Sequence, residues 1–271
     1  MRTISEEILG RLIAGHREEL VIATKCFNPT GADINARGSS RRHITRAIEG
    51  SLKRLHTDRV DVLFMHQFDS RTPLEEIMRG LEDLVQSGKV LYPAVSNYSA
   101  WQTQKALGIQ ALNQYARLQV IEPMYNLVKR QAEVEILPMA LDNELAVIPY
   151  SPIAGGLLSG KYAAGAGTNE GRLRTNAMYE RRYGESWAHQ TAADFGVFCQ
   201  ERGLHPVSAA VAWVGTHPAV TAPIIGARSV EQLMPSLGAV KLDMTNELRN
   251  EISALSRMPP PATDRLETQQ S

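Results

Sequence analysis

The run Val62-Leu63-Phe64-Met65 has no polar residue and no alternation, and it stops at His66, Gln67 and Asp69. A strand reads this way when both faces are covered, as in a parallel sheet with helices packed outside it. Further short apolar runs lie near residues 20–24, 90–95, 118–121, 146–148 and 221–225, separated by stretches with helical spacing. Strand and helix in alternation give a parallel sheet. The pattern predicts an α/β chain with a parallel sheet of six strands, two short of the eight that a closed (β/α)8 barrel of the TIM type needs.

The helices are marked at their starts. Ser5 reads as an N-cap followed by Glu6 and Glu7, with Ile8, Leu9, Leu12 and Ile13 as one apolar stripe. Ser39 or Ser40 caps a second helix to about residue 55, and Thr72 caps a third with Pro73 at its first turn. Further helices are expected over 100–115, 131–143, 188–202, 206–216, 229–240 and 245–255. Residues 155–187 lose periodicity and become rich in Gly and Arg, and a segment of that length reads as a functional lid. One domain over 1–257 and a mobile tail over 258–271 complete the organisation.

Composition removes several function classes. Lys+Arg and Asp+Glu both number 29, so no net charge draws the chain to nucleic acid or an anionic membrane. Cys26 and Cys199 are too few for a disulfide framework, which points to a reducing cytoplasm. No apolar h-region opens the chain, and no run approaches the ~18 residues of a membrane span. No metal-ligand spacing stands out.

A histidine at the C-terminal end of a buried parallel strand sits where barrel enzymes keep their chemistry. It also reads as a structural histidine bonded to a carbonyl. The other strand ends bear on the choice. Lys25 ends the first strand, although a lysine there also simply reaches water. Ser96-Asn97 ends the third.

In chain order these ends read VIATK (Lys25), MHQFD (His66), VSNYS (Ser96, Asn97), Gln119 with YNL at 125–127, IPYSPIAGGLLSGKY at 148–162 and IIGARSVEQL at 224–233. Together they resemble the aldo-keto reductase family, in particular the branch of microbial reductases and potassium-channel β subunits. The resemblance runs over residues 5–254. It implies reduction of small aldehydes or ketones by NADPH on an eight-stranded barrel, with an Asp, Tyr, Lys and His set. A tyrosine of pKa about 10 is a poor acid at neutral pH. A neighbouring lysine lowers it, an aspartate holds the lysine, and a histidine orients the carbonyl.

By this resemblance Lys25 and His66 take the lysine and histidine roles. The family's Asp and Tyr belong to a segment reading Asp-Thr-Ala…Tyr-Gly ahead of the SEEILG helix, and here no Tyr precedes Tyr92. The expectation is therefore a chain lacking the first two strands and the Tyr–Asp pair, with Tyr98 or Tyr125 as substitute donors. Open strand edges near Leu20 and Val220 then call for a second copy, as a homodimer. Otherwise the start is an internal Met of a longer reductase, or the sheet distorts around the gap.

The cofactor set is fuller. The resemblance gives Ser96, Asn97 and Gln119 to the nicotinamide carboxamide and Tyr150 to its ring. The backbone from Ser151 through Pro152, Ile153, Gly155 and Gly156 to Leu157 follows the pyrophosphate, with Lys161 and Arg172 clasping it. Gly226, Arg228 and Gln232 take the adenosine end, where an Arg favours a 2′-phosphate and so NADPH. Pro235-Ser236 stands where the family has Glu-Asn.

Plainer readings stand beside these. Tyr150 also reads as core packing, and Arg228 as a partner of Glu231. Arg174, Arg181 and Arg182 read as a solvated face, and Cys26 as a small buried hydrophobe. Two functions remain: a carbonyl reductase, or an NADPH-binding interaction protein without turnover.

Overall fold

The computed structural model describes residues 4–160 and 176–263. They group into two compact units, 1–122 and 123–271.

In the first unit four strands run parallel in chain order: β1 (Ala23–Cys26), β2 (Val60–Met65), β3 (Val90–Ser96) and β4 (Val120–Glu122). The register sets Lys25 opposite Phe64, Met65 opposite Val95 and Ser96 opposite Glu122. Helices α1 (Ile4–Leu12), α2 (Arg41–Leu55), α3 (Leu74–Gln86) and α4 (Ala100–Asn113) alternate with these strands. Leu63, Phe64 and Met65 are wholly buried, as their unbroken apolar run predicts. Each such burial stabilises the fold by about 2 kcal/mol. Ser40 caps α2, and Ser99 forms a capping box with Gln102 at the start of α4.

The first strand departs from expectation. β1 starts at Ala23, while Leu20 and Val21 are exposed, Val21 at 80%. β1 pairs with β2 only, among the described residues, so its outer side is an edge. The expected stripe on α1 also differs, because Ile8 and Leu12 are exposed and Ile13 alone is fully buried. The helix packs instead through Gly10, where an added Cβ would meet the Arg54 carbonyl oxygen at 2.5 Å. Glu6 anchors the same face, accepting from Arg54 Nε at 2.7 Å and from the Thr24 hydroxyl at 2.6 Å.

The second unit contains β5 (Ala146–Val147) and helices α5 (Ile136–Asp142), α6 (Ala177–Tyr183), α7 (Ser186–Glu201), α8 (Pro206–Gly215), α9 (Val230–Leu237) and α10 (Asn246–Ala254). A 3-10 turn spans Ala154–Ser159. The strand expected at 221–225 is an extended segment beside β5: Thr221 N–H donates to the Val147 carbonyl at 2.9 Å and Ile224 N–H to the Pro149 carbonyl at 2.8 Å. Pro223 has no N–H to continue a ladder. The described residues therefore form five strands rather than six.

A buried polar network closes this unit. Glu133 receives the Tyr125 hydroxyl at 2.7 Å and Arg130 through Nε at 3.0 Å and Nη2 at 2.8 Å. Arg249 of α10 reaches the Tyr125 hydroxyl at 3.1 Å. No helix among the described residues is long and apolar enough to cross a membrane.

Candidate functional site

In the first unit the strand ends bring Lys25, His66, Ser96 and Asn97 together, with one residue not foreseen. Lys25 Nζ lies 2.6 Å from Glu122 Oε2. β1 and β4 are three strand spacings apart, ~14 Å in a flat sheet whose side chains stand perpendicular to it. A contact at 2.6 Å across that distance fits a sheet that curls between β1 and β4. Burial raises the Glu122 carboxyl above its ordinary range, and the Lys25 charge acts against that rise.

His66 is half-buried, and its Nδ1 lies 3.1 Å from Asn28 Nδ2. An amide N–H donating to Nδ1 leaves the ring proton on Nε2. Burial, then the charge of Lys25, holds the imidazole below its ordinary pKa, so the ring is neutral at neutral pH. Asn97, at φ 57°, donates from Nδ2 to the His66 carbonyl at 2.9 Å and to Ser96 Oγ at 3.0 Å. Ser96 Oγ donates to the Glu122 carbonyl at 3.0 Å. An ammonium and an imidazole N–H at one rim supply the donors that a developing oxyanion needs.

Three expectations fail here. Gln119 is exposed and lies three residues before the end of β4, its N–H on the Pro93 carbonyl, so it is not with Ser96 and Asn97. Glu122 holds the place in register with Ser96. Tyr98 and Tyr125 are unsuited as donors: both are at most 5% exposed, and burial pushes both phenols well above the ordinary range. Cys26 is buried and its thiol is pushed up to about 12, which fits a packing role. The signal that would have found Glu122 is its position, a carboxylate ending a short apolar strand.

The second unit contains a cavity of about 380 Å³. One wall is the backbone turn Ser151, Pro152, Ile153, Gly155 and Gly156, and the other is Gly226, Arg228, Gln232 and Ser236. The turn is tightly wound, with Ser151, Ala154, Gly155 and Gly156 all at positive φ. Leu157 faces the core, at 2% exposure, and contributes no side chain to the cavity. Arg228 is exposed, and no carboxylate pairs with its guanidinium among the described residues, Glu231 included. Its N–H donates to Gln232 Oε1 at 3.3 Å, and Ser229 caps α9. Ser236 is buried at the cavity wall.

Tyr150 is half-buried rather than core, and the Arg182 guanidinium lies 6.0 Å from its ring centre. Arg182 also lies 5.9 Å from the Tyr179 ring, so it is not the freely solvated side chain expected; Arg181 is exposed. Lys161, Arg172 and Arg174 fall outside the described residues. Those described form no group of His, Cys, Asp and Glu arranged to hold a metal ion.

The size of this cavity and the close approach of its backbone suit a nucleotide, since pockets of this kind run from about 300 Å³ upward. An exposed arginine in its lining, with no carboxylate partner among the described residues, suits a phosphate.

Comparison with known proteins agrees in direction. The profile of the Aldo/keto reductase family matches residues 1–257. An uncharacterized oxidoreductase of Bacillus subtilis, YrpG, is 38% identical over 90% of this chain and 75% of its own length. Versiconal hemiacetal acetate reductase of Aspergillus parasiticus is 30% identical over 90% of this chain and 76% of its own. A probable voltage-gated potassium channel subunit beta of rice, Oryza sativa subsp. japonica, is 30% identical over 96% of this chain and 81% of its own.

Proposed function

Because the chain belongs to the aldo/keto reductase family, we propose that it reduces aldehydes or ketones to alcohols with NADPH, on strands arranged as in a (β/α)8 barrel. The observation that carries this reading is the cavity between the 151–156 turn and the 226–236 segment. In this reading the pyrophosphate follows the turn, where Gly155 and Gly156 keep the backbone bare. Arg228 meets the 2′-phosphate and Gln232 the adenosine, with Ser236 beside it. NADPH, when bound, supplies the hydride.

At the carbonyl end His66 Nε2–H and the Lys25 ammonium would stabilise the oxygen as the hydride reaches the carbon, and the alkoxide formed would take its proton from solvent water at the open rim. Within the first unit Ser96 and Asn97 would hold the carboxamide, and the resemblance alone assigns Tyr150 to the ring. The curl that lets Lys25 reach Glu122 supports the barrel arrangement.

A second reading is NADPH binding without turnover. One observation favours it: among the described residues Lys25 pairs with a carboxylate and not with a phenol. Steady-state NADPH oxidation with 4-nitrobenzaldehyde, beside fluorescence titration of NADPH, separates the two. Saturable binding with alcohol formation supports the reductase. Binding alone supports the second reading, and no binding rejects both.

A further inference from the structure

We propose that Glu122 is a positioning residue of the carbonyl site, holding the Lys25 ammonium at the strand ends beside His66. The catalytic consequence rests on the reductase reading, whereas the pairing rests on geometry alone. Glu122 is the last residue of β4, 5% exposed, and its carboxylate meets Lys25 Nζ at 2.6 Å. Its carbonyl is held from β3, accepting from Ser96 Oγ at 3.0 Å and from Asn97 N–H at 3.3 Å. The backbone that aims the carboxylate is thus tied to two residues of the same rim.

Stability alone is a poor reason for such a pair. A buried ion pair stabilises a fold little more than apolar side chains of the same volume. Two partly buried carboxylate pairs of this unit differ in place: Glu6 with Arg54 joins α1 to α2, and Asp61 with Arg17 lies at the start of β2. Lys25 is instead partly open, at 31% side-chain exposure, with its Nζ 5.0 Å from the centre of the Phe64 ring. Glu122 faces one side of the ammonium as its ion partner, and the exposed side of Lys25 is open to an oxygen at the rim. Glu122 fixes where that positive charge stands, and no proton leaves Lys25 in this role.

The test uses Glu122→Gln, Glu122→Asp and Lys25→Met in the full chain, with two readouts. By carbon NMR the Glu122 carboxyl should titrate at higher pH in Lys25→Met than in the wild type, since the countering charge is gone and burial remains. In steady-state reduction of 4-nitrobenzaldehyde, Glu122→Gln should lose about 10²-fold in kcat through misplacement of the ammonium. KM should change little, and Glu122→Asp should recover part of the loss. An unchanged Glu122 titration in Lys25→Met overturns the proposal, as does wild-type kcat in Glu122→Gln. A shifted titration with no turnover by the wild-type protein supports the pairing and rejects the reductase reading instead. Lys25→Met, at a partly open position, keeps the test available if Glu122→Gln does not fold.

Discussion

Gly155 lies against the ring of Tyr179: a Cβ built on the glycine would stand 2.5 Å from both Cδ1 and Cε1. α6 therefore packs on the turn that forms one wall of the cavity. Gly155→Ala meets two separate penalties. Its φ of 67° costs a side-chain-bearing residue about 1–2 kcal/mol, and the ring must also move. The expected outcome is lower thermal stability and weaker NADPH binding. In a double-mutant cycle Tyr179→Ala should relieve the steric part only, giving a coupling of about 1 kcal/mol between the sites. Strict additivity in melting and titration would contradict the contact.

Gly10 makes a contact of the same kind with less room to yield, because its neighbours are the backbone atoms of Arg54 and Leu55 at 2.5 to 2.8 Å. Helix propensity alone would make Gly10→Ala stabilising by about 1 kcal/mol. Overpacking against backbone costs about 1–3 kcal/mol and should win. Urea unfolding should show a net loss of stability. A gain would mean that α1 does not sit on α2 at this position.

Arg228 is the residue on which cofactor choice should turn. A hydrogen bond to a charged group contributes about 1.5–3 kcal/mol, so Arg228→Ala should weaken NADPH binding about 10- to 100-fold. NADH, which lacks the 2′-phosphate, should lose little. Fluorescence titration with both nucleotides checks this. Equal losses would move the phosphate contact elsewhere.

Acid should destabilise the fold through its histidines. His43, His66 and His217 are all held below the ordinary imidazole pKa, with burial as the first cause in each. The unfolded chain takes up these protons near pH 6.5 while the folded chain refuses them until lower pH. Their contribution is complete above about pH 6.5 and is lost as pH falls through the folded values. Glu122 works in the opposite direction: its raised pKa makes its contribution largest at low pH and smaller as pH rises above about 4.3. Melting temperature should fall between about pH 7 and pH 5, and His43→Gln should flatten the fall. His43 is the clearest case, since its buried Nε2 has no hydrogen-bond partner among the described residues. A profile that is flat in the wild type would rule out this origin.

Much of the fold was legible because burial on both faces writes itself plainly into a strand. β2 followed its apolar run, and the capped helices began within a residue or two of their signals. β1 was misread because an edge strand leaves residues such as Val21 exposed, and apolarity then no longer reports burial. The segment beside β5 read as a strand because Val220 to Ile225 is apolar, but Pro223 interrupts its hydrogen bonding. α6 was hidden in a Gly- and Arg-rich stretch without periodicity that read as a lid.

The residues at the cavity walls were named by the family resemblance, and the glycines at the turn fit its close backbone. Glu122 was passed over, because a carboxylate ending a short apolar strand is a weak signal until Lys25 is seen beside it. The same register sets Gln119 away from Ser96, and its place in the site had rested on the family resemblance alone.

The most direct test of the central claim is the fate of the hydride. The protein is incubated with NADPH carrying deuterium at one face of the nicotinamide C4, with 4-nitrobenzaldehyde, and the product is read by proton NMR and mass spectrometry. A reductase of this family predicts one deuterium on the carbinol carbon of the alcohol, from one labelled face and not from the other, in step with NADPH consumed. Recovery of unreduced aldehyde, or alcohol without the label from either face, would contradict it.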